Sequence, residues 1–146
     1  QEKQLSKGYN EEMAALHNSN GEELNIIIDA IGYPTIEKVG EIASDAAWLV
    51  IQHADLAVQE KYLPFLRESV EIGESEGWHL AFLEDRILMR KDKKQIYGTQ
   101  VLWDKTEEAM KIHPIENVSQ VNIRRAKIGL EPIEEYVKQN GYVYDQ

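Results

Sequence analysis

The chain has 146 residues, 42% hydrophobic and 29% charged, and this suits one globular domain able to bury a core without staples. It holds no cysteine, so a disulfide framework, a thiol nucleophile and a Cys-ligated zinc site are excluded. With 26 acidic against 16 basic residues the net charge is −10, which opposes nucleic-acid backbones and anionic lipid at long range. No run approaches the roughly 20 apolar residues that span a bilayer, so no membrane insertion is expected.

The start "QEKQLSKGYN" has no initiator Met. It reads either as a mature protein whose signal was removed, hence periplasmic or secreted, or as a trimmed cytoplasmic chain. Residues 1–8 form a candidate flexible tail. Tyr9 to His17 then reads as a short helix that ends near "NSNG". Glu22 to Ile31 places Leu24, Ile27, Ile28 and Ile31 on one amphipathic stripe. "GYPT" breaks it, and Thr35 is set to cap a helix from Ile36 to His53. On that helix Val39, Ala43, Ala46 and Val50 share a face, with Ile42 and Leu49 beside them; its alanines permit close helix approach. "HAD" makes a corner, with Asp55 capping a helix from Leu56 that Pro64 kinks or splits.

Glu76 to Arg90 is apolar nearly all round, as a central helix is. The period then changes. "QIYGTQVLW" (Gln95 to Trp103) is β-branched and aromatic, and reads as a strand that pairs with Met110 to Ile115 in a hairpin. Asn117 is set to cap a helix from Val118 to about Ile128, ended by Gly129. The last helix starts at Pro132 and stops near Gly141. The expected fold is mainly α: one compact helical bundle over residues 1–146 with a single late β-hairpin.

Three ionisable residues fall on apolar stripes: His53, Asp85 and Arg125. An unpaired buried charge costs several kcal/mol or forces a change of protonation. The low-cost arrangement brings Asp85 and Arg125 together, or gives each an equivalent partner such as Arg86 or Arg124, with His53 near. In a strand, Gln95, Tyr97 and Thr99 face one side, and Gly98 admits a ligand or another backbone. Such a recess supplies a base, an anion holder and hydrogen-bond donors. Asp55 is more simply an N-cap, a buried Asp–Arg pair is often structural, and a histidine at a helix end often only caps carbonyls. For metal, His53 with Asp55 and His79 with Asp85 lack any recognised ligand spacing, and His17 and His113 read as surface. No metal site and no cofactor are expected.

"GYPT", "VG", "QHAD", "LEDR", "QIYGTQ", "RRAKIGL" and a following Tyr, in that order, resemble an uncharacterised bacterial family, number 6624 among the domains of unknown function. The resemblance runs from about Tyr9 to Tyr136. It implies no activity. It does single out Gln52, His53, Asp55, Asp85, Arg86, Gln95, Tyr97, Gly98, Thr99, Gln100 and Arg125. Three readings follow. In the first, a small anionic or amide-bearing ligand sits in a polar recess built by His53, Asp85, Tyr97 and Arg125, with Arg86, Gln95, Gln100 and Gln52 as further ligand contacts. In the second, a metal-independent hydrolase or lyase uses His53 as general base, Asp85 as its orienter and Tyr97 or Arg125 to hold developing negative charge. In the third, an interaction protein carries a purely structural Asp–Arg network.

Overall fold

The computed structural model describes the backbone of residues 2–145 and the side chains of residues 11–145. The candidate tail at residues 1–8 falls where Gln1 and the side chains up to Asn10 lie outside the described residues. The chain is mainly helical with one two-stranded antiparallel hairpin late in its course, as the periodicity predicts. Its contacts gather in two compact units, one ending at Phe65 and the other starting at Leu66.

Unit 1 contains α1 (Glu2–Ile31), α2 (Ile36–Val39), α3 (Glu41–His53) and the first part of α4 (Leu56–Glu71). Helix α1 is continuous where two helices were expected. "NSNG" fails to stop it because Gly21 is buried, and a Cβ there would stand 3.4 Å from that of Ala54. Mid-helix glycine costs roughly 0.5–1 kcal/mol, and packing of α1 on the α3–α4 corner outweighs that. Conversely, the expected helix from Ile36 to His53 is two. Gly40, at φ +83°, ends α2 by donating to Ile36 O and lets the chain turn before α3.

The buried face of α3 also differs from expectation. Ser44, Ala47, Trp48, Ile51 and Gln52 are buried, whereas Ala43 and Ala46 are exposed and Ile42 is 89% exposed. The largest apolar areas decide the rotation: Trp48 and Ile51 gain more from burial than the alanines do. The "HAD" corner forms as read, with Val58 N donating to Asp55 Oδ1 at 2.9 Å. Tyr62 is buried and its hydroxyl donates to Asn25 Oδ1 on α1. Helix α4 runs through Pro64 without splitting.

Unit 2 is built on α5 (Gly77–Arg90), which buries His79, Leu80, Ala81, Leu83, Asp85 and Ile87. Strands β1 (Val101–Asp104) and β2 (Ala109–Ile112) pair with Val101 opposite Ile112 and Asp104 opposite Ala109. Both are shorter than expected, and residues 95–100 are a loop. A 3-10 turn (Val118–Gln120) leads into α6 (Val121–Lys127), and α7 (Ile133–Asn140) follows. Asn117 takes a left-handed φ of 46° and makes no side-chain cap, which is why α6 begins later than the sequence suggests. Ile112, Ile115, Val121, Ile133 and Val137 form the core that backs the loop.

Candidate functional site

Asp85 is fully buried, as its apolar stripe implies, but its partners are the donors of one loop in place of the expected guanidinium. Its Oδ1 accepts from the backbone N–H of Ile96 at 2.7 Å and of Tyr97 at 3.0 Å. Its Oδ2 accepts from Thr99 N and Thr99 Oγ1, both at 2.9 Å. These donors explain why residues 95–100 are not a strand: their N–H groups turn inward to one carboxylate instead of along a ladder. Gly98 completes the turn at φ +78°, where a Cβ would stand 2.3 Å from Ile133 Cδ1.

The carbonyls of the same loop meet arginines. Arg125 Nη1 donates to Tyr97 O at 2.8 Å, and its Nε donates to Glu131 O at 2.6 Å. Arg124 Nε donates to Ile96 O at 2.9 Å and its Nη2 to Glu116 O at 2.6 Å. Asp85 and Arg125 therefore grip the same residue of the loop from two sides, at Tyr97 N–H and at Tyr97 O, while the carboxylate paired with Arg125 is that of Glu131, its Oε1 3.7 Å from Nη2. Charge-assisted bonds of this kind are about twice as strong as neutral ones.

Gln95 closes the loop's ends. Its Nε2 donates to Gln100 O at 3.0 Å and His113 O at 2.6 Å, and its Oε1 accepts from Gln100 N at 2.8 Å. Gln100 Nε2 donates to Thr99 Oγ1 at 3.2 Å. Burial pushes the Asp85 carboxyl up, and the hydrogen bonds from Tyr97, Thr99 and Ile96 pull against it. Burial lowers the Arg125 guanidinium, and Glu131 leads the acids that oppose this.

With the loop held from both sides, the Tyr97 side chain stands at a recess of about 450 Å³. Val70, Leu80 and Ile128 give it apolar walls; Arg67, Arg124, Lys127 and Glu71 line the rest. Burial first, then the Glu84 and Asp85 charges, push the Tyr97 phenol up to about 12, so it stays a hydrogen-bond donor at neutral pH. Arg67 Nη2 donates to Glu84 Oε1 at 2.8 Å. Arg124 spends its donors on carbonyls, and Lys127 is exposed. A second hollow, of about 470 Å³, borders Trp103 and Lys111, but Glu107 and Asp145 neutralise that lysine at 3.3 and 2.7 Å.

Of the residues expected at the site, unit 2 brings together Asp85, Gln95, Tyr97, Thr99, Gln100 and Arg125. All but Tyr97 serve as braces of the loop, with their polar atoms turned inward. Arg86 is half-buried on α5; burial, then Arg90, lowers its guanidinium. His53 and Gln52 belong to unit 1. His53 is exposed with its ring stacked on His17, centroids 5.0 Å apart. Gln52 is buried, and its main-chain oxygen accepts from Gln59 Nε2 at 2.7 Å.

Sequence reasoning did not place Arg67 or Lys127 at a site. The spacing of Arg124 and Lys127, three apart on one helix, could have suggested a shared face; nothing local marks Arg67. Among the described residues, no group of three or more His, Asp or Glu side chains converges as metal ligands, and no helix is long and apolar enough to cross a membrane.

A family model for DUF6624, described as a family of unknown function, matches residues 7–145. No curated protein and no solved structure matches the chain.

Proposed function

The chain belongs to the DUF6624 family, whose function is unknown, and we propose from the geometry of unit 2 that it binds a small organic anion in the recess beside Tyr97. The observation that carries this reading is the lining. Three cations, Arg67, Arg124 and Lys127, and one protonated phenol surround apolar walls, with Glu71 as the sole acid there, in a chain whose net charge is −10. Concave sites with apolar walls and few fixed polar groups are the usual form of small-molecule pockets.

The ligand's oxyanion would meet Lys127, the charge of Arg124 and the Tyr97 hydroxyl. Its apolar body would lie on Val70, Leu80 and Ile128. Asp85 and Arg125 act one step back by fixing the loop that aims Tyr97, so that little ordering remains for binding. This reassigns Arg125 from ligand clamp to loop brace. It also leaves Asp85 with both oxygens engaged, which does not favour its use as an orienter of a catalytic histidine.

Phenyl phosphate and neutral benzyl alcohol, titrated against the protein by amide NMR, test this reading. Saturable shifts at Tyr97 and Lys127 with phenyl phosphate, at least tenfold weaker in Lys127→Glu and absent with benzyl alcohol, support it. Equal response to both compounds, or indifference to Lys127→Glu, overturns it.

A further inference from the structure

We propose that the groove between α1 and α3 in unit 1 is a docking site for a basic amphipathic helix of another protein. The groove, about 350 Å³, is lined by Leu24, Ile27 and Ile31 of α1 and by Ala43, Ala46 and Val50 of α3. Ile27 and Ile31 are 50% and 46% exposed. On the outer side of α3, Ile42 and Leu49 are 89% and 51% exposed. Helix α3 thus carries large apolar side chains on its outer face as well as on its buried one. Exposed apolar side chains gathered beside an apolar groove mark a surface that a partner can cover.

The shape and the charge both bear on the occupant. Ala43 and Ala46 make a shallow channel along the helix between larger side chains, which suits anchors spaced i, i+3, i+4, i+7 on an incoming helix. Residues 1–65 hold eleven acidic and four basic side chains, and residues 66–146 hold fifteen and twelve. Seven of the ten net negative charges therefore belong to unit 1. Glu23 lines the groove, and Glu41 is exposed at the start of α3. Among the groove's lining residues none is basic. A second copy of the chain would bring like charge against like. A helix with apolar anchors and lysine or arginine flanks is matched on both counts.

The probe is a synthetic helix of leucine and lysine, about eighteen residues long, with leucines on one face. Its controls are a scramble of the same composition and a leucine–glutamate counterpart. Fluorescence anisotropy against the whole protein is expected to show the ordered Leu/Lys helix binding at least tenfold tighter than the scramble. Binding should weaken severalfold when salt rises, because exposed charges are screened. Ala46→Arg, an exposed substitution that leaves the core alone, should reduce binding at least tenfold with the circular dichroism unchanged. Ala43→Phe, which fills the channel without adding charge, should do the same and serves if Ala46→Arg misfolds. Equal binding of the scramble, or of both variants, overturns the proposal. So does sedimentation showing a wild-type dimer that Ala46→Arg separates, since that gives the groove to a second copy.

Discussion

The buried face of α5 in unit 2 and the outer face of α3 in unit 1 hold the residues least expected of each unit, and they are resolved in opposite ways. Asp85 is a charge in an apolar place, and the fold answers it internally with four donors from Ile96, Tyr97 and Thr99. Ile42 and Leu49 are apolar groups in a wet place, 89% and 51% exposed. The asymmetry has a physical origin. A buried carboxylate without partners costs several kcal/mol, so it must be satisfied before the chain folds at all. An exposed isoleucine forgoes only the 1.5–3 kcal/mol or so that burial would have added, a deficit the fold tolerates and a partner can later remove. Polar misfits thus mark scaffolding in this molecule, and apolar misfits mark a surface.

The widest test of this contrast is Asp85→Ala. It strips four donors of their acceptor, three of them backbone N–H groups held inward by this one carboxylate. It should destabilise unit 2 by about 3 kcal/mol or more, since each buried donor left without an acceptor costs about 1–3 kcal/mol, measured by chemical denaturation. A midpoint close to wild type would mean the loop keeps its shape without the carboxylate, and the scaffold reading would fail.

Next in size is a pair of substitutions on one helix. Ile51 is fully buried on the inner face of α3. Ile51→Ala should cost about 2–5 kcal/mol by lost transfer energy and the cavity left behind. Ile42→Ala, on the outer face of the same helix, should stay within about 0.5 kcal/mol. Comparable losses at the two positions would show that the outer face is already packed, and the contrast between the units would collapse.

Much of this was legible in the sequence, for reasons that can be named. The helices of unit 2, the late hairpin and the Asp55 cap were read from period and turn chemistry. The signal for Asp85 and Arg125 was their place on apolar stripes, and both are indeed buried. What periodicity could not reveal is the form of the answer. Residues 95–100 look like a strand because Ile, Tyr and Thr favour strands, yet a carboxylate eleven residues earlier outbids the ladder for their N–H groups. The face of α3 was misread because 39, 43, 46 and 50 are regularly spaced, while Gly40 severs Val39 from the helix and Trp48 with Ile51 draws the inner face elsewhere. Arg67 escaped because its partner, Glu84, is a tertiary neighbour seventeen positions away.

The smallest expected effect comes from Asp104, which repeats the Asp85 arrangement in water. Its Oδ1 accepts from Thr106 N at 2.8 Å and Glu107 N at 3.1 Å at the hairpin turn. Those backbone bonds, Glu107 first, hold its carboxyl below the ordinary value of 3.8. A carboxyl lowered in the folded state adds stability above that ordinary value, and the contribution is lost as pH falls through the lower, folded one. The amides of Thr106 and Glu107 should therefore titrate together in NMR spectra taken below about pH 4. Asp104→Ala should abolish that step while barely moving the unfolding midpoint, because solvent can replace the lost acceptor. A grip on backbone N–H groups that is indispensable in the interior becomes dispensable at the turn, so a large loss of stability in Asp104→Ala would show that burial is not what separates the two carboxylates.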